Sequence, residues 1–202
     1  MTPDNTPHAN TGRARRSARS SLREFVRSRD GTAAIEFALL AIPYFLIVFA
    51  IIETFVAFTA EQVVSNAVDT LSRQIRTGQI TAANTTSQQF RQAFCNEIAV
   101  LITCSSSELQ TPANLYLDVE SYSSFASMPT TIPLNSYSDL STTGFTFTPG
   151  GAKSLNMVRA YYRWQIITDL LRPYLTNVHP TNGSASVYLI VATAAFQNEN
   201  YP

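Results

Sequence analysis

Histidine, cysteine and closely set acids are all scarce in this chain, and the shortages exclude most familiar catalytic designs. The histidines are His8 and His179. His179 precedes Pro180 in a loop-like stretch with no nucleophile motif beside it, so it reads as a surface residue. No zinc-ligand spacing, phosphate-binding loop or dinucleotide-binding glycine signature occurs. The acidic residues are scattered, with no pair marked as acid and base. These absences predict a protein that is not an enzyme, with no catalytic residues, metal or cofactor; an anchored hydrolase using His179 is a distant alternative. Asn84-Thr85-Thr86 and Asn182-Gly183-Ser184 match glycosylation acceptors, a coincidence, because that reading requires a eukaryotic-type pathway that other features of the chain argue against.

Also missing is an A-x-A-like site after the longest apolar run, which argues against a removable secretory signal. From Ala33 to Phe58 the charged residues are Glu36 and Glu53, and the sixteen residues between them, FALLAIPYFLIVFAII, have no charge. With its apolar flanks this stretch reaches the roughly 20 residues needed to cross a bilayer. Residues 1–31 carry seven Arg against three acids, a net of +4, and the remainder carries seven bases against eleven acids, a net of −4. Basic residues placed just before an apolar run mark the cytoplasmic flank of a membrane helix. A nucleic-acid-binding arm is the weaker reading, because the membrane already accounts for the charge.

Beyond the span, Ala60, Val63, Val64, Ala67, Val68, Leu71 and Ile75 recur at helical spacing, with Asp69 and Arg73 as an i, i+4 pair on the other face. The pattern predicts one helix of about 46 residues, roughly 70 Å long, running to Thr77 and stopping at Gly78. Pro43 lies inside the span and removes a backbone hydrogen bond, so it is the expected transmembrane kink. Glu36 is the costly residue: a carboxylate within a spanning helix costs about 2–3 kcal/mol on insertion scales, so a cationic partner is expected. Glu53, at the other edge, reads as interfacial and exposed to water or headgroups.

The run Arg29-Asp30-Gly31-Thr32-Ala33-Ala34-Ile35-Glu36-Phe37 resembles the processing site of type IV prepilin-like proteins, and in particular of TadE-like pseudopilins. The resemblance implies cutting by a prepilin peptidase between Gly31 and Thr32, with Glu36 becoming the fifth residue. The cut would also remove His8. The new amine at Thr32 would neutralise Glu36 of an adjoining subunit and set the assembly register. A glycine before the cut lets a protease approach the backbone closely. The ending Phe196-Gln197-Asn198-Glu199-Asn200-Tyr201-Pro202 is similar to the family's carboxy-terminal pattern at Phe196, Asn198, Glu199 and Tyr201, and departs from it at Gln197 and Asn200.

The implied function is a minor pseudopilin of a Tad-type (Flp) pilus, an adhesion or secretion system. Its implied partners are the prepilin peptidase, other pilin and pseudopilin subunits, and an inner-membrane assembly platform served by a cytoplasmic ATPase. A simple anchor with a juxtamembrane acid, serving as an uncleaved scaffold whose exported domain binds another envelope component, is the alternative. The expected organisation is a basic cytoplasmic leader over 1–31, a transmembrane and extended helix over 32–78, and a periplasmic α+β domain over 79–202. The protein would cross the bacterial inner membrane once.

In that last segment a short helix is expected from Ser87 to about Leu101, with Phe90, Phe94, Ile98 and Leu101 on one face. Cys95 and Cys104, outside the cytoplasm, read as a disulfide contributing about 2–3 kcal/mol; free thiols are the alternative. Alternation predicts half-buried strands at Leu115–Glu120 and Val158–Ile166. Ser186–Phe196, apolar on both faces, reads as a central strand. The stretch from Ser123 to Ala152 reads as a surface excursion with a short strand at Phe145–Thr148, and Asp169–Asn182 as an irregular connection with one helical turn. Strands following a helix without alternation predict an α+β fold, a small antiparallel sheet packed on the outer half of the long helix.

Overall fold

The computed structural model describes residues 29–168 and 171–201. The basic residues Arg13 to Arg27 lie outside them. The chain divides into two units, residues 1–48 and 49–202. Helix α1, Arg29–Arg76, includes Pro43 without interruption. In the first unit Phe37, Leu39, Leu40, Ile42 and Tyr44 are all more than 60 % exposed. The most apolar eighteen-residue window of this helix buries none of its residues. Such a surface is stable only against lipid or other apolar helices.

In the second unit the helical stripe becomes a core. Ala60, Val64, Ala67, Val68, Leu71 and Ile75 are all nearly fully buried. They pack with Phe90, Phe94 and Ile98 of helix α2 (Ser87–Ile98) and with one face of a four-stranded sheet. Fully burying a Leu, Ile or Phe contributes about 1.5–3 kcal/mol, so this seam holds the unit together. Thr86 starts α2 with a capping box: its hydroxyl accepts from Gln89 N, and its own N–H donates to the Gln89 side chain. The helix ends at Ile98, sooner than the apolar spacing predicts. Leu101, expected on its buried face, is 37 % exposed, and Ile102 is buried instead. The chain turns there, with Leu101 N and Ile102 N both donating to the Ile98 carbonyl. Asp69 and Arg73 face outward as expected, but the ion pairs of the described residues do not include them.

A short helix α3 (Ser106–Gln110) precedes strands β1 (Leu115–Tyr122), β2 (Phe147–Thr148), β3 (Leu155–Trp164) and β4 (Tyr188–Gln197), with a one-turn helix α4 (Arg172–Leu175) between β3 and β4. The spatial order is β2-β1-β3-β4. The fold is the expected α+β one, but its sheet is mixed: β1–β3 and β3–β4 are antiparallel, whereas β1–β2 is parallel. The excursion between β1 and β2 is long enough to return the chain to the starting end of β1, as a parallel pairing requires.

Two strand assignments exchange places. β4, expected to be central, lies at the edge, and β3, expected to be half-buried, is central and buried on both faces through its middle. The first part of β4 is covered on both sides, one by α1 and α2, the other by a second core of Leu140, Tyr161, Val178, Val187 and Leu189 that also meets Val191, whereas Thr193 and Ala195 further along the outer side are exposed. Two-sided burial and two strand neighbours leave the same mark on a sequence, and here only the first applies. Part of the free edge is satisfied by Asn177, whose side chain accepts from Leu189 N and donates to Leu189 O.

Candidate functional site

The predicted processing segment opens α1. Gly31 lies in the first turn, and Thr32 and Glu36 are exposed on the helix that follows. Pro43 is also exposed, seven positions beyond Glu36. These residues share one helix within the first unit. Cys95 and Cys104 are joined by a disulfide, Cα atoms 5.8 Å apart, tying α2 to the segment before α3.

The carboxy-terminal residues singled out in the sequence converge on the far end of α1. Gly78 adopts φ +78°, the left-handed conformation that ends a helix at low cost only without a side chain. Tyr201 lies over it: a β-carbon at Gly78 would sit 2.6 Å from the Tyr201 ring. Asn198 is buried, and its amide donates to the carbonyls of Gly150 (2.8 Å) and Gly151 (2.9 Å) and to Tyr201 Oη (2.8 Å). Glu199 N donates to the Arg76 carbonyl, one of those α1 leaves open, and its carboxylate lies 3.5 Å from Arg76 Nε. Phe196 packs against the main core. The Phe196, Asn198, Glu199 and Tyr201 pattern is therefore a clasp that fastens the last strand to the end of the long helix. Gln197 and Asn200, the departures, are exposed, and the Gln197 amide donates to Lys153 O.

The clasp makes a prediction. Gly78→Ala meets both the left-handed backbone, costing about 1–2 kcal/mol in itself, and the Tyr201 ring, so it should lower the urea midpoint of detergent-solubilised protein. In a Tyr201→Ala background the loss should shrink to the backbone part. Equal losses in both backgrounds would show that the ring does not press on the glycine.

Four acids, Glu53, Glu61, Glu108 and Asp118, have roles that spacing does not reveal. Glu53 is partly buried instead of free in water, and its carboxylate accepts from the backbone N–H groups of Ile167 and Thr168. Glu108 is buried and gathers the N–H groups of Ala113, Asn114 and Leu115 at 3.0, 2.9 and 2.7 Å, fixing the entry to β1. Nearby, Arg91 donates to the Leu115 carbonyl, and burial pulls its pKa below the usual guanidinium value.

On the outer sheet face Asp118 and Arg159, directly opposite across β1 and β3, form a buried pair with Nη2–Oδ2 at 2.7 Å. Burial alone would lower the Arg159 pKa, but the hydrogen bond and charge of Asp118 outweigh it and hold the guanidinium above its ordinary value. Its guanidinium carbon also lies 6.0 and 5.9 Å from the Phe145 and Tyr161 ring centres. Tyr188 donates to Glu61 at 2.8 Å, and burial together with that bond pushes its hydroxyl up to about 12. His179 lies 3.1 Å from the Thr176 hydroxyl, which itself donates to the Arg172 carbonyl. Among the described residues no group of three or more His, Cys, Asp and Glu is placed to hold a metal ion. The polar groups of this domain join one part of the chain to another.

One helix long and apolar enough to cross a membrane, followed by a small α+β domain, defines a candidate single-pass membrane protein. Residues 31–73 match the family model described as TadE-like protein, the family that the run from Arg29 to Phe37 resembles. The match begins at Gly31 and covers most of α1, so this part of the chain is TadE-like, which implies involvement in Tad pilus assembly. The sheet and the clasp lie outside it. No curated protein and no solved structure matches the chain.

Proposed function

We propose that the protein is a minor pseudopilin of a Tad-type pilus, held in the bacterial inner membrane by α1 with residues 1–31 as a cytoplasmic leader and residues 79–202 in the periplasm. A prepilin peptidase cuts between Gly31 and Thr32. The shortened chain then joins other pilin or pseudopilin subunits through the apolar part of α1, at a membrane assembly platform. The observation that carries this reading is the coincidence at Gly31. The family match begins there, the glycine stands five positions before Glu36, and a helix with an exposed apolar surface follows. Glu36 pairs with the Thr32 amine of a neighbour, and Pro43 lets the helix loosen as it moves from lipid into an assembly.

The mass and amino-terminal residue of protein extracted from native membranes test the reading. A species beginning at Thr32 is expected only in cells that have the peptidase, and Gly31→Ala should leave the full-length species alone. Full-length protein in peptidase-containing cells, with no shortened form, would instead identify an uncleaved scaffold.

A further inference from the structure

The exposed apolar surface of the second unit is concentrated near the start of its helix. Phe49, Ile51, Ile52, Phe55 and Phe58 are 51–71 % exposed on α1. Beside them, in the connection from β3 to β4, stand Ile167 at 88 % and Tyr174 at 84 %, the most exposed large apolar side chains among the described residues. The connection is fixed to this level of the helix. Glu53, the first residue after the uncharged run, binds the N–H groups of Ile167 and Thr168, while Leu175 lines a small cavity with Thr54, Ala57, Phe58 and Tyr188.

We propose that Ile167 and Tyr174 rest in the headgroup and upper acyl region of the same bilayer that α1 crosses, giving the exported domain a second contact with lipid. The inference rests on α1 being a membrane span. Lipid is the occupant because this surface continues the apolar surface of the helix at the residue where the uncharged run ends. The side chains suit that depth: tyrosine, with an apolar ring and a polar tip, is enriched at the interface, and isoleucine gains by leaving water.

The backbone is also prepared for it. Every described residue from Ile167 to Thr176 that has a backbone N–H already donates it: Ile167 and Thr168 to Glu53, Leu171 and Arg172 to Thr168 O, Tyr174 and Leu175 to Leu171 O, and Thr176 to Arg172 O. Irregular backbone is tolerated near hydrocarbon when its polar groups have such partners. A loop facing open water has no need of this, since water would serve the same donors. Held at this contact, the domain would be restrained against the membrane surface until α1 is withdrawn, and withdrawal would have to break the contact.

Depth-dependent quenching tests the proposal on the full chain in nanodiscs holding one copy each. Trp164→Phe removes the native tryptophan, and Ile167→Trp, Leu40→Trp or Phe125→Trp supplies a single reporter. Lipids carry bromine either high or low on the acyl chain. If Trp164→Phe fails to fold, each reporter is instead measured as a difference from the parent with Trp164 kept. The Ile167→Trp chain should lose about half its emission to the shallow bromines, as burial of about 5–10 Å implies, and the Leu40→Trp chain, about 7 Å from the middle of the span at 1.5 Å per residue, should respond to both sets. Phe125→Trp, exposed on the excursion, should respond to neither. Quenching of the Ile167 reporter no stronger than that of the Phe125 reporter, with the Leu40 reporter quenched, overturns the contact and leaves the span intact. Failure at Leu40 removes the span and the proposal together. Quenching at Ile167 that requires two copies per disc assigns the surface to a second protein chain and overturns the lipid assignment.

Discussion

Asp118→Ala should lower the stability of the α+β domain by about 3–5 kcal/mol, the usual cost of leaving one member of a buried ion pair alone. Asp118 is 2 % exposed and Arg159 8 %, so water cannot replace the lost carboxylate without opening the outer sheet face. One carboxylate oxygen takes both Arg159 Nε and Nη2, and the other accepts the Thr146 N–H at 3.1 Å. The substitution therefore also loosens the approach to β2, whose pairing begins with Val119 and Phe147. Asp118→Asn keeps the shape and part of the hydrogen bonding but removes the charge, and should fall between. The double variant Asp118→Leu with Arg159→Met should recover most of the loss, because two apolar groups leave no charge stranded. Urea midpoints of detergent-solubilised protein, followed by Trp164 fluorescence, would decide. A loss below about 1 kcal/mol for Asp118→Ala, the size of an exposed pair, would mean that water reaches Arg159.

What the sequence discloses here depends on whether a signal is local. The long helix, its buried stripe from Ala60 to Ile75 and its stop at Gly78 are written in spacing and in one glycine, and α2 announces itself through Phe90, Phe94 and Ile98. Strand neighbours are not local. The Asp118 and Arg159 pair sits in two alternating strands as two ordinary polar residues, and only the register of β1 against β3 makes them partners. Ser186–Phe196 carries apolar residues on both faces whether it lies inside a sheet or at its edge under a covering excursion. Glu108 had no signal at all, since its partners are backbone N–H groups whose positions depend on the turn into β1. The tail residues Asn198, Glu199 and Tyr201 stood out by resemblance, while their purpose, closing over Gly78 and the last turn of α1, required the fold. The folded domain is thus organised around the end of the helix that the apolar segment begins. Pull on α1 is transmitted to the sheet through both the buried stripe and the clasp.

Glu36→Gln should separate insertion from assembly. The neutral amide removes most of the cost of placing a carboxylate in a spanning helix, about 2–3 kcal/mol, so the variant should enter the membrane at least as well as the parent. It keeps Gly31 and Thr32 and should still be cut. It loses the charge that the Thr32 amine of a neighbouring subunit would meet, and an amine buried without its counter-charge costs about 3–5 kcal/mol. At about 1.4 kcal/mol per factor of ten, recovery of the protein with its partner subunits should fall by roughly two to three and a half orders of magnitude. The urea midpoint of the α+β domain should not move, because Glu36 lies outside that unit. Glu36→Asp retains the charge on a shorter arm and should restore part of the recovery. Fractionation of cells into membrane and sheared-pilus material, with co-purification against tagged pilin subunits, gives all three readouts. Normal co-purification of a correctly cut Glu36→Gln chain would remove the amine and carboxylate pair as the register device, while leaving the processing site in place.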